Sequence, residues 1–304
     1  MKMTSVKYLA AAATAALLIG PTAVQAQTEG LEGTLAKIAE DEVVVVGYRE
    51  ASIPFSYYDD AKNPIGYSMD ITTAVLERIK EKVGNPDLEV RRLPITSQNR
   101  ISLLQNGTID FECTTTTHNE SREKQVDFSN SIFVIGTRLM TPADSGITDF
   151  PDLAGQNVVV GAGTTSEILL RKMNTEQQMD MNIISAKDHA ESFLMLSTGR
   201  AKAMMMDDAL LAGERAKAKD PSIYVITGTP QSREAYGCMV RKDDAQMKQV
   251  LDEAIAELQT SGKAEEIYEK WFMAPIPPRD LNLDFPMSDD MKALFAQPNS
   301  DIPG

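Results

Sequence analysis

Residues 108–129 read TIDFECTTTTHNESREKQVDFS, and the first seven of them decide the fold. The segment TIDFECT has the character of a strand, and it is the third strand signal in a series. The first is EVVVVGYR (42–49), a near-continuous β-branched run of the kind found in strands buried on both faces. After it, YSMDITTAVLERIKEKVG (67–84) has helical spacing at Met69, Thr73, Leu76 and Ile79–Lys80, and it stops at Gly84. LEVRRLPI (88–95) is the second strand, and SQNRISLLQNG (97–107) is a short helix closed by Gly107. Strand, helix, strand, helix, strand predicts a parallel sheet covered by helices.

The pattern then repeats. NVVVGAG (157–163), NIISAKD (182–188) and AKAMMMDD (201–208) read as strands. TSEILLRKMNTEQQM (165–179), AESFLMLSTGR (190–200) and ALLAGERAKAK (209–219) read as the helices between and after them. The run Met204–Met206 is core filler rather than a metal site. A further strand, YGCMVRK (236–242), precedes helical stretches at 244–261 and 263–273, the second carrying Trp271. A tail rich in Pro, Asn and Asp ends the chain. Two α/β lobes with a leftover strand and helices predict that the chain returns to its first lobe. Ligands of open α/β sheets bind outside the carboxyl ends of the strands, so two facing lobes would enclose a cleft.

The totals narrow the function. The chain has 304 residues, a length that suits about two domains, with 42% hydrophobic and 24% charged residues. A net charge of −14 argues against nucleic acid, whose phosphates need a basic surface. An anion site in such a molecule must be local. The start has a basic MKMTSVK, a short apolar YLAAAATAALLIG and a small-residue PTAVQA, the three parts of a secretory signal peptide with cleavage expected after Ala26. Export to the periplasm follows, and loss of Lys2 and Lys7 takes the net charge from −14 to −16. An exported protein keeps disulfides, so Cys113 and Cys238 are either a bonded pair or two buried thiols.

The strand ends carry the chemistry. In the first lobe they offer Arg49, then Ser97 and Arg100, then Thr115, Thr117 and Arg122. In the second they offer Thr164 and Thr165, Asp188 and His189, Asp207 and Asp208. There is no nucleophile elbow, no metal-ligand spacing and no call for a cofactor. Thr115 and Thr117 share one face of an extended segment, while Thr114 and Thr116 share the other. Ser97 reads as an N-cap, so a capping box would want Glu or Gln at position 100, where a cation instead opposes the helix dipole. Each residue has a plainer reading. Arg49 could pair with Glu50, Arg100 and Arg122 could be solvated, and Asp207 could cap the helix that follows it.

The order of these residues resembles family 3 of the solute-binding proteins of ABC importers, and within it the members that take glutamate and aspartate. TTTTHNESREKQVDFS matches the family's Thr-rich strand end followed by Glu, Arg and Asp-Phe-Ser, here with Ser121 between Glu120 and Arg122. GYSMDITTAVLERI resembles its first helix, with Ser68 where an acidic residue is usual. GYREASIPFSYYD, GAGTTSE, IISAKDH, MMDDALLAGERAKAK and EAYGCM extend the likeness over nearly all of the chain after the leader.

The resemblance implies a two-lobe α/β Venus-flytrap of the type II periplasmic-binding-protein class, with crossover strands near 132–136 and 231–236. It places lobe 1 at 27–134 and 236–304 and lobe 2 at 135–235. Arg122, with Thr115 and Thr117, would hold an α-carboxylate, onto which Thr165 closes. Asp207 would hold the α-ammonium. Arg49, Ser97, Arg100 and His189 would surround a side-chain carboxylate. The implied partners are L-glutamate or L-aspartate and the permease subunits of the importer, with the protein itself a monomer. Three arginines and one aspartate suit two carboxylates and one ammonium. The competing expectation is an enzyme on the same fold acting on a small carboxylated substrate, a dehydratase for example. His189 is its sole candidate acid or base.

Overall fold

The computed structural model describes residues 30–303. The leader expected at 1–26 lies outside them. The first part of the chain runs α1 (Gly33–Asp41), β1 (Val43–Tyr48), a small three-stranded sheet of β2 (Ala51–Ser52), β3 (Ser56–Tyr58) and β4 (Pro64–Ile65), then α2 (Tyr67–Val83), β5 (Glu89–Pro94), α3 (Arg100–Gln105), β6 (Phe111–Glu112) and the one-turn α4 (Glu120–Glu123). β1 lies between β5 and β6 and is parallel to both, with Val43 opposite Glu89 and Val46 opposite Phe111. The valine run is therefore central, as its unbroken apolarity requires. On α2 the buried stripe is Ile71, Val75, Leu76, Ile79 and Val83, while Thr73 is exposed. The expected stripe through Thr73 and Lys80 is thus rotated, because the β-branched Ile71 and Val75 seat against the sheet. Gly84 ends the helix in the left-handed conformation at φ 72°.

Two long antiparallel strands connect this half to the next. β7 (Val126–Pro142) enters it, β8 (Asn157–Gly161), α5 (Thr165–Glu176), β9 (Asn182–Ala186), α6 (His189–Ser197), β10 (Ala203–Asp207), α7 (Asp208–Ala216) and β11 (Tyr224–Thr227) build it, and β12 (Arg233–Arg241) leaves it. The nine-stranded sheet runs β5-β1-β6-β12-β7-β10-β8-β9, with β11 also on β7. β7 pairs with β12 as far as Gly136, opposite Arg233. From Thr137 onward it pairs with β10, and from Leu139 with β11 as well. The crossing strands thus fall where the resemblance put them. Val158, Val160, Leu170, Met173, Ala203 and Met205 form a core cluster of the second half.

After β12 the chain packs again on elements of the first half. α8 (Ala245–Thr260), α9 (Lys263–Tyr268) and a π-helical turn (Glu269–Met273) pack there. Trp271 donates from Nε1 to Asp70 at 2.7 Å, and Lys270 reaches the same oxygen at 2.7 Å. An aromatic cluster locks the return, with Phe133 stacked 5.0 Å from Phe272 and edge-on to Phe55 at 4.9 Å. The Pro/Asn/Asp tail hides one more helix, α10 (Asp289–Ala296), capped by Ser288 and burying Met291, Leu294 and Phe295. Cys113 and Cys238 are joined by a disulfide that ties the segment after β6 to β12. Among the described residues no helix is long and apolar enough to cross a membrane.

Candidate functional site

Arg49 leaves the end of β1 and is 3% exposed. Its Nη1 donates to Ser97 Oγ at 2.9 Å, so a salt bridge to Glu50 does not explain it. Ser97 is free to accept because it is not the helix cap: α3 starts later, behind Asn99, whose Oδ1 accepts from the Thr96 N–H at 2.7 Å. Ser97 is thus not the N-cap the sequence suggests, and Arg100 is the first helical residue rather than the third. Arg100 opens α3, is 2% exposed, and donates from Nη1 to the Thr115 carbonyl at 3.0 Å. Its buried Nε has no partner among the described residues. Arg122 sits on α4, where Asn119 caps its own N–H, and its Nη1 donates to the Thr117 carbonyl at 2.8 Å. Two arginines thus brace the threonine run from its backbone side. Neither is solvated.

The quartet divides by face. Thr114 and Thr116 donate to the buried carboxylate of Glu112. Thr115 and Thr117 turn the other way and line a small cavity with Ser97 and Arg100. Across that cavity stand Thr165, His189 and Asp207, each at an element end: the first residue of α5, the first of α6 and the last of β10. Thr117 Oγ1 and Thr165 Oγ1 are 3.5 Å apart. Asp207 precedes α7 without capping it. Its carboxylate accepts instead from Tyr236 Oη and, at 3.3 Å, from Ser166 Oγ. Arg49 reaches the group through Ser97, and Arg122 through Thr117. Seven of the nine expected residues line the cavity, and Arg49 and Arg122 stand behind its wall, although the nine come from sequence positions as far apart as 49 and 207. A roomier hollow of about 590 Å³ lies around Lys37 and Arg241, but its charges are already paired with Asp110.

Electrostatics marks the small cavity as poised for anions. Burial, then repulsion from Arg100, lowers the Arg49 guanidinium to about 10 and that of Arg122 to about 9. Arg100 is lowered too, chiefly by burial. Burial and the neighbouring Arg49 push His189 well below the usual imidazole range, so it faces the cavity neutral, its Nδ1 unpartnered among the described residues. On the other side, burial and then Glu234 raise the Asp207 carboxyl to about 7, which favours a cation beside it. Positive and negative groups thus share the site, with Asp207 in the field of both Arg100 and Arg122. Among the described residues no cluster of His, Cys, Asp and Glu could hold a metal ion.

Sequence reasoning missed Glu234, Tyr236 and Glu112. Glu234 on β12 accepts from Thr117 Oγ1 at 2.6 Å, from Thr165 Oγ1 at 2.8 Å and from Ser232 Oγ at 2.8 Å. It joins hydroxyls of both halves at the crossing strands. The sequence held only a faint signal: Glu112 stands between Phe111 and Cys113, and Glu234 opens the run AYGCMV, each a charge against apolar neighbours.

Residues 44–274 match the model of bacterial extracellular solute-binding proteins, family 3. The glutamate/aspartate import solute-binding protein of Escherichia coli strain K12 is 60% identical over 266 residues, covering 88% of each chain. That of Salmonella typhimurium strain LT2 is 58% identical over 290 residues, covering 94% of this chain and 96% of its own. Among solved structures, a mutant of ArgBP from T. maritima superposes with a TM-score of 0.70 at 28% identity, covering 79% of this chain and 99% of that one.

Proposed function

Because the chain belongs to the bacterial extracellular solute-binding proteins of family 3, we propose that it captures L-glutamate or L-aspartate between its lobes in the periplasm and delivers it, as a monomer, to ABC permease subunits. The observation that carries this reading is a cavity lined by the buried Arg100 and by Asp207, with two more buried guanidiniums directly behind its wall, Arg49 on Ser97 and Arg122 on the Thr117 carbonyl. Relatives of 58% and 60% identity are named for glutamate and aspartate import. The family is one of binding proteins, and the named relatives are not enzymes.

In this reading Arg122 with Thr115 and Thr117 takes the α-carboxylate, and Asp207 takes the α-ammonium. Arg49, Ser97, Arg100 and His189 surround the side-chain carboxylate, His189 as a neutral hydrogen-bonding group. Thr165 closes from the other lobe. A hydroxyl has one proton, and Glu234 accepts those of Thr117 and Thr165. Both threonines then serve the carboxylate through backbone N–H groups, Thr117 through its own and Thr165 through the first turn of α5, whose N–H groups have no intrahelical partner. The lobes are residues 27–134 with 236–304, and 135–235, and they close by a hinge at β7 and β12.

Calorimetric titration with L-glutamate, L-aspartate, L-glutamine and L-asparagine tests the reading. Tight binding of the two acids and weak binding of the amides is expected. Preference for an amide would sink it, because two buried arginines would then face an uncharged group.

A further inference from the structure

Two glycines stand where the halves of the molecule abut, and neither lines the cavity. Gly213 is inside α7, where a helix gains nothing from glycine over alanine. A β-carbon placed there would lie 2.2 Å from the carbonyl oxygen of Ile53 and 2.7 Å from its carbon. Gly163 is in the turn before Thr164, at φ +76°, and a β-carbon there would lie 2.9 Å from Gln98 Cγ and 3.0 Å from Gln98 Cα. Ile53 follows β2 and Gln98 follows Ser97, so both contacts run from the second half to the first. Each obstacle includes backbone, which cannot rotate aside as a side chain can.

We propose that Gly213 and Gly163 are the seats on which the lobes close, and that they set affinity for the bound amino acid without touching it. The proposal rests on the acidic-amino-acid reading above. Restoring van der Waals distance at Gly213 needs an opening of roughly 1 Å. Thr117 Oγ1 and Thr165 Oγ1 already stand 3.5 Å apart, at the limit of a hydrogen bond, and Thr165 reaches Glu234 at 2.8 Å. An added ångström removes the contacts that Thr165 makes from the far side.

The test is titration of the whole protein with L-glutamate, together with stopped-flow dissociation. Gly213→Ala is expected to raise Kd at least tenfold, mostly through faster dissociation, while the ligand-free melting temperature holds or rises. If Gly213→Ala does not fold, Gly163→Ala is compared with Gly146→Ala. Gly146 has a matching φ of +74° and nothing within 4 Å of the added carbon. Gly163→Ala should weaken binding and Gly146→Ala should not. Small-angle scattering at saturating glutamate should find Gly213→Ala more extended than wild type. Wild-type affinity in both seat variants overturns the proposal and leaves the acidic-ligand reading standing. Failure of wild type to bind either acid overturns both.

Discussion

Arg100 is the largest side chain among the most deeply buried residues, and the Thr115 carbonyl with the field of Glu112, Tyr236 and Asp207 offsets its charge. Removing one partner of a buried charge pair costs about 3–5 kcal/mol, or roughly two to more than three decades of affinity. Arg100→Ala and Arg49→Ala should each abolish measurable binding of glutamate while circular dichroism remains that of the wild type. Near-normal affinity in calorimetry would remove them from the site. Asp207 makes a pH-dependent prediction. Its carboxyl titrates near 7 in the folded chain and near 3.8 in an ordinary setting, so between those values the native state holds a proton that the unfolded state has lost. Its contribution therefore favours the fold at the acid end and fades as pH rises, by at most about 1.4 kcal/mol per pH unit. Asp207→Asn should flatten that decline, melting higher than wild type at pH 8 without ligand while losing the amino acid. Melting curves from pH 4.5 to 8 that are parallel in the two proteins would contradict this.

At the scale of elements, the disulfide joins the residue after β6, the shortest strand of the nine-stranded sheet, to β12 across 125 residues of chain. A loop of that size leaves the unfolded state much freedom to lose, and removing a native disulfide typically costs about 2–5 kcal/mol. Cys113→Ser with Cys238→Ser should lower the melting temperature by several degrees, as should reduction. Equal melting of reduced and oxidised protein would mean that pairing across β6 and β12 suffices alone. Other elements differ in how plainly the sequence announced them. VVVVG and NVVVG are short β-branched runs, and AMMMD is a short apolar run between helical stretches, so β1, β8 and β10 were legible. β7 was visible only through the family likeness, because Ser129, Asn130, Ser131 and Thr137 interrupt its apolar pattern, and the burial of Ser129, Ser131 and Thr137 comes from contacts far along the chain. In sequence α10 reads as tail, because its capping Ser288 follows a stretch of prolines and aspartates. The site divides the same way. Arginines at strand ends stand out against local rules, whereas Glu234 acts only once β12 lies beside the threonine run, a relation that no local pattern contains.

For the whole molecule, closure around a ligand links binding to stability. At a hundredfold excess over Kd the ligand adds about 2.7 kcal/mol. L-glutamate should therefore raise the melting temperature and L-arginine should not. A comparable rise with arginine would argue that the cavity does not read charge. The connection between the halves has a consequence of another kind. β7 and β12 are antiparallel neighbours, and Gly136 pairs with Arg233 where the first half gives way to the second. Residues 137–232 thus form a cassette whose two ends emerge side by side. A short hairpin could replace the cassette and leave the remainder a continuous chain. By the same geometry, a homologous cassette could be grafted in with only two splices, making the pair of strands a natural seam for recombination.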